Sequence, residues 1–104
     1  MNIAKMMKQA QKMQTDMAKM QEDLASRSYE ATAGGGAVKA VATGAGELKD
    51  LVLSKEIVAS GDVEMLQDLI LTAVREAVDK GKTEAQKEMG KLTSGLGIPG
   101  LPGF

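Results

Sequence analysis

The sequence predicts an α+β fold: a long N-terminal helix, a three-stranded antiparallel meander, a C-terminal helix and a flexible tail. Two observations predict it. Residues 29–53, YEATAGGGAVKAVATGAGELKDLVL, are the only stretch whose apolar positions alternate with the period of two that marks a half-buried strand. On both sides of it, apolar residues instead recur at spacings of three and four, the period of an amphipathic helix.

Residues 2–26 contain neither Gly nor Pro, so nothing interrupts a helix there. Ile3, Met6, Ala10, Met13, Met17, Met20 and Leu24 form an a/d heptad seam. Such a helix is about 36 Å long, more than a chain of this size easily covers. The seam is therefore read as a core or helix-pairing surface, with Met13, Met17, Met20 and Leu24 meeting a second copy of the chain. At 100° per residue, Lys5, Lys8, Lys12 and Lys19 fall within about 60° of one another, away from the seam. Lysines on a polar face are ordinarily just solvated. A cationic ridge for a polyanion is the sharper reading, favoured because Asp16 is the only acid before Glu22.

The meander follows. Residues 28–33 alternate polar with apolar, and Gly34-Gly35-Gly36 resists both helix and strand interiors. Residues 37–43 put Val38, Ala40 and Ala42 on one face, and Lys39, Val41 and Thr43 on the other. Gly44-Ala45-Gly46 supplies a tight hairpin, and residues 47–53 form a third strand alternating Glu47, Lys49, Leu51 and Leu53 against Leu48, Asp50 and Val52. A sheet made of Ala, Gly and Val needs a second layer, from the helices or from a partner. Val38, Leu51 and Leu53 join the methionine seam as expected dimer contacts.

Residues 54–61 read as a connector. Asp62 is placed to N-cap the second helix, with Glu64 in its first turn. Leu66, Leu69, Ile70, Ala73, Val74, Ala77 and Val78 make its apolar face. Gly81 interrupts the pattern, so either the helix bends there or another backbone passes close. Weaker periodicity continues to Leu92. Residues 1–92 thus form a single α-β-β-β-α domain, and residues 93–104, TSGLGIPGLPGF, a Gly/Pro-rich flexible tail dispensable for folding.

Composition narrows the function. There is no Cys, which excludes disulfide and thiolate chemistry and suggests a reducing, cytoplasmic setting. There is no His, which excludes His-based triads and His-containing zinc fingers. No metal-ligand spacing occurs, and Glu22/Asp23 sit on a charged surface with nothing apolar to shift them, so no catalytic site, cofactor or small-molecule substrate is expected. The glycine clusters lead into no helix and precede no Gly-Lys-Ser/Thr, so they read as turns rather than a phosphate loop. No apolar run approaches the roughly 18 residues of a membrane span. Net charge is −1, but it is unevenly spread. Four lysines against Asp16 give residues 1–20 a charge of +3. Asp62, Glu64, Asp68, Glu76 and Asp79 against Arg75 give residues 61–79 a charge of −4. Lys80, Lys82, Lys87 and Lys91 against Glu84 and Glu88 return residues 80–91 to +2.

AGGGAVKAVATGAGELKDLVL, LQDLILTAVREAVDK and the closing LTSGLGIPGLPGF, with MMKQAQKMQTDMAKMQEDL at the start, resemble the YbaB/EbfC family of bacterial nucleoid-associated DNA-binding proteins. The likeness spans essentially the whole chain. Departures are confined to Leu53-Ser54-Lys55, where that family often has Ile-Asp-Pro, and to Gln67 and Arg75, where it often has Glu and Asn. The resemblance implies an intertwined homodimer with protruding helices that binds duplex DNA with little sequence preference in the nucleoid. It implies that basic residues of the two helices make the contact: here Lys5, Lys8, Lys12, Lys19 and Arg27, with Lys82, Lys87 and Lys91. Clustered lysines suit phosphates, and the near-absence of aromatics, Tyr29 and Phe104 alone, removes the stacking platforms of single-strand binders. The competing class is a chaperone-like or scaffolding protein of helix–hairpin–helix layout with no nucleic-acid role.

Overall fold

The computed structural model describes residues 2–95. Helix α1 (Ile3–Ser26) is followed by strands β1 (Ser28–Ala33), β2 (Val38–Thr43) and β3 (Leu48–Leu53), a short helix α2 (Lys55–Ala59) and helix α3 (Val63–Gly95). The strands form one antiparallel sheet in the order β1-β2-β3, the expected meander.

Local chemistry sets the element ends. The Asn2 side chain accepts a hydrogen bond from the Lys5 amide at 3.1 Å, capping α1. Gly34, Gly35 and Gly36 all have positive φ, so the run is the β1–β2 turn. The Asp62 side chain accepts from the Met65 amide at 3.0 Å, the predicted cap of α3.

Two expectations are corrected. The presumed connector holds helix α2, capped by the Ser54 hydroxyl accepting from the Ile57 amide at 3.2 Å; five residues are too few to show a helical period. Strict alternation in β3 fails, because a register shift pairs Val41 with Asp50 but Ala42 with Leu48. That irregularity takes up Lys49 and sets Leu48 beside Ala42, on the face shared by Leu51 and Leu53. At Gly81, where the pattern left open a bend or a close backbone, α3 continues uninterrupted, and it runs past Leu92 to Gly95. Thr93, Ser94 and Gly95 are thus helical, and the rest of the expected tail, 96–104, lies outside the described residues.

The core is small-residue packing between α3 and the sheet. Val38, Ala40 and Ala42 of β2 and Ala73 and Ala77 of α3 are fully buried, flanked by Ala31, Leu53, Leu66, Leu69, Ile70 and Val74. Alanines on both layers let the helix lie close on β1 and β2, and it barely reaches β3. Leu48 and Leu51 are consequently left 47% and 36% exposed on the sheet face that α3 covers elsewhere. An Ala77→Leu variant should lose about 1–3 kcal/mol of stability by overpacking this close approach, read from urea denaturation.

Beyond the sheet, α1 and α3 run together. The Gly44 amide donates to the Leu24 carbonyl at 2.9 Å, and Leu24 is buried. Gln21, Leu24, Gly44, Ala45, Ala85 and Met89 line a cleft of about 330 Å³ at this junction. Both helices leave the sheet from the same end, so they are antiparallel neighbours, and the molecule is elongated, 70 × 23 × 16 Å.

Candidate nucleic-acid interface

The lysines of α1 stand on its free side. Lys5, Lys8, Lys12 and Lys19 are all exposed, and none makes an ion pair among the described residues. The seam behind them faces α3 only in part: Met13, Met17 and Met20 are half-buried and Leu24 is buried, whereas Ile3 and Met6 are 68% and 53% exposed. Asp16 is half-buried and likewise pairs with none of the four lysines. Helical geometry thus sets four uncompensated cations on one side of a protruding helix.

The other basic residues are arranged differently. Arg27 caps α1 and binds Asp23, Nη2 to Oδ2, at 2.5 Å. That carboxylate, and then the Tyr29 hydroxyl, raises the guanidinium pKa above its ordinary value. Part of its charge is therefore already answered within the chain. Lys87 and Lys91 pair with Glu84 and Glu88 one helical turn earlier, at 3.7 and 3.5 Å. Lys82 does not join them. At 100° per residue it lies about 140° around α3 from Lys87 and on the opposite side from Lys91. Its aliphatic stem instead passes over Gly46 in the β2–β3 turn, where an added Cβ would meet Lys82 Cε at 2.7 Å. The residue that shares a face with Lys87 and Lys91 is Lys80, whose Nζ donates to the Glu30 carbonyl at 3.4 Å. The i, i+7, i+11 spacing of these three was the available sequence signal for Lys80.

Two expected dimer contacts are consumed inside the chain. Leu24 is 3% exposed and Val38 is completely covered by residues of their own chain. Leu51 retains exposed surface and Leu53 is half-buried.

The close packing that orients α3 rests on Gly81. Its Cα lies so near the Thr43 carbonyl that an added Cβ would collide with that oxygen, and the Tyr29 ring lies 3.4 Å from the same point. Another backbone passes close, and the helix does not break. This contact aims the second half of α3 along α1.

Comparison with known proteins agrees with this architecture. The description of the YbaB/EbfC DNA-binding family matches residues 1–96. A nucleoid-associated protein of Desulforamulus reducens is 58% identical over 100 residues, covering 96% of this chain and 95% of the relative. One of Pelotomaculum thermopropionicum is 54% identical over 100 residues, with the same coverage of both chains. The crystal structure of the uncharacterized protein HP0035 from Helicobacter pylori has the same fold, with a TM-score of 0.67 over 92% of this chain and 97% of that one, at 20% identity. By its sequence, from the first helix through the end of α3, the chain belongs to the YbaB/EbfC DNA-binding family.

Proposed function

We propose that the protein is nucleoid-associated and binds duplex DNA as an intertwined homodimer, with low sequence specificity, through phosphate contacts from α1, and that it thereby affects nucleoid organisation and gene expression. The observation that carries this reading is the set of four exposed lysines, without ion pairs among the described residues, on one side of α1. Ammonium groups act on phosphates as point charges and read no base, which gives affinity without sequence choice. Lys80, Lys87 and Lys91 supply a secondary stripe weakened by its own glutamates, and Arg27 and Lys82 contribute least. The open flank of β3, with Leu48 and Leu51, supports dimerisation. Met13, Met17 and Met20 add to that surface where α3 leaves them half-covered.

Salt dependence tests the reading. Eight lysines in a dimer imply a slope of log affinity on log salt near −7, or about 10⁴-fold weaker binding between 50 and 200 mM salt. Gel-shift titrations on two unrelated duplexes should show that slope on both. A chaperone-like protein holding apolar clients would show no such weakening and no duplex shift. Sedimentation of a monomer at micromolar concentration would remove the dimer from the proposal.

A further inference from the structure

The helix that carries the lysine ridge is fastened at one end. Residues 3–12 of α1 are exposed throughout, and its one buried residue, Leu24, lies in the last turn. There the Gly44 amide donates to the Leu24 carbonyl at 2.9 Å, and a Cβ on Gly44 would stand 2.5 Å from that oxygen. Only a residue without a side chain lets the end of β2 touch the helix backbone so closely. One residue earlier the Thr43 carbonyl meets Gly81 of α3, so the same strand end seats both helices. The turn beyond it is tied down. The Thr43 hydroxyl accepts from the Ala45 and Glu47 amides at 3.2 and 3.3 Å, and the Thr43 carbonyl from the Gly46 amide at 3.0 Å. Packing leaves the seat of α1 loose, because Leu24, Gly44, Ala85 and Met89 border the cleft of about 330 Å³. Arg27 supplies a polar brace. Its amide donates to the Asp23 and Leu24 carbonyls at 3.1 and 3.3 Å, so the Leu24 oxygen receives Gly44 and Arg27 together. Its guanidinium holds the Asp23 carboxylate at 2.5 Å and has the Tyr29 hydroxyl as its next polar neighbour. The Tyr29 ring in turn lies against Gly81. Through Arg27 the last turn of α1 is tied to a side chain packed on α3.

We propose that Arg27 is a positioning residue for the DNA contact: paired with Asp23 and Tyr29, it holds α1 on its Gly44 seat and aims the lysine ridge, without meeting phosphate itself. The role rests on the reading of α1 as the DNA-contacting helix. Leverage makes the seat matter. At about 1.5 Å per residue, Lys5 lies about 29 Å along the helix from Leu24. A tilt of about 10° at the seat moves Lys5 by roughly 5 Å, against about 3.4 Å of axial rise between successive phosphates of one strand. A ridge free to tilt that far has to be ordered on binding, and the cost is subtracted from affinity. A brace at the base removes much of that cost beforehand. Arg27 is badly placed to add a contact of its own. It stands about 80° around the helix from Lys19, and Asp23 already answers its charge.

Two full-length variants test the assignment. Arg27→Gln removes the guanidinium, and Tyr29→Phe removes only the hydroxyl, keeping the ring on Gly81. Each should lower duplex affinity about threefold to tenfold in gel-shift titrations, with the slope of log affinity on log salt unchanged. The double variant should bind no more weakly than the poorer single variant, because both remove the same brace. Amide exchange at Gly44 reports the seat directly. It should quicken in both variants, while exchange at Ala40 in the middle of β2 stays as in the parent. A phosphate contact behaves otherwise: Arg27→Gln would flatten the slope by about 1.8 in the proposed dimer, and Tyr29→Phe would leave binding alone. A flattened slope, unchanged affinity in either variant, or unaltered Gly44 exchange overturns the role of Arg27. A parent protein that shifts no duplex at all instead removes the DNA reading on which that role rests.

Discussion

Replacing Lys5, Lys12 and Lys19 together with Gln is expected to lower duplex affinity about 10⁵-fold near 0.1 M salt while leaving the fold intact. Each lysine that contacts phosphate displaces condensed counterion, so each contact removed flattens the slope of log affinity on log salt by about 0.9. Three substitutions in the proposed symmetric dimer remove six contacts, and the slope should shallow by about 5. The loss should be equal on unrelated duplexes, since phosphate contacts carry no base information. Stability should move by no more than about 0.5 kcal/mol, because all three side chains are exposed and have no ion-pair partner among the described residues. Oligomeric state should be unchanged, as the ridge points away from the seam. The equivalent Lys87→Gln, Lys91→Gln variant should do much less, because Glu84 and Glu88 already neutralise those ammoniums. If the triple variant keeps the wild-type salt slope and the α3 variant loses it, the contact belongs to α3 and not to α1.

Gly81→Ala is expected to destabilise the protein by about 2–3 kcal/mol, against the direction that helix propensity dictates. In an exposed helix interior the same change would stabilise by about 1 kcal/mol. Here the new methyl would meet the Thr43 carbonyl, part of a β2 backbone held by pairing on both sides, and that oxygen cannot swing away as a side-chain end could. Either α3 lifts off the sheet, loosening Ala73 and Ala77 in their close seats, or β2 shifts and strains the Thr43 turn. For a domain of this size the loss corresponds to a fall in Tm of roughly 10–20 °C, compared at fixed protein concentration because the proposed dimerisation would make Tm depend on it. Gln86→Ala, at an exposed position on the same helix, should hardly change it. A Gly81→Ala protein as stable as the parent, or more so, would refute the close approach.

The two variants also separate what could be read along the chain from what could not. The lysine ridge was legible because helical geometry alone decides which residues of one helix share a side. Clustering of Lys5, Lys8, Lys12 and Lys19 requires no knowledge of what packs elsewhere. The surroundings of the α3 lysines were not legible, for the complementary reason. Lys82, Lys87 and Lys91 are close in sequence, but Lys82 lies along the β2–β3 turn, and the other two are engaged by glutamates on their own helix. The dimer contacts show the same limit. Leu24 and Val38 carry the right pattern for an interface, and only the placement of Gly44 and of α3 reveals that their own chain covers them.

By itself the sequence determined the order of the two long helices and the three strands, the polar and apolar side of each of those helices, the three-glycine turn and the Asp62 cap. All of these follow from interactions spanning a few residues, whose period or hydrogen-bond reach is written locally. Tertiary structure alone decided that α3 runs intact through Gly81, that β3 takes up Lys49 in a register shift, that α3 lies over β1 and β2 while leaving β3 open, and where α1 loses its cover. Each of these turns on atoms far apart in the chain meeting at van der Waals distance. At Gly81 the local preference and the long-range contact oppose each other, and a backbone carbonyl that cannot yield outweighs a propensity of about 1 kcal/mol.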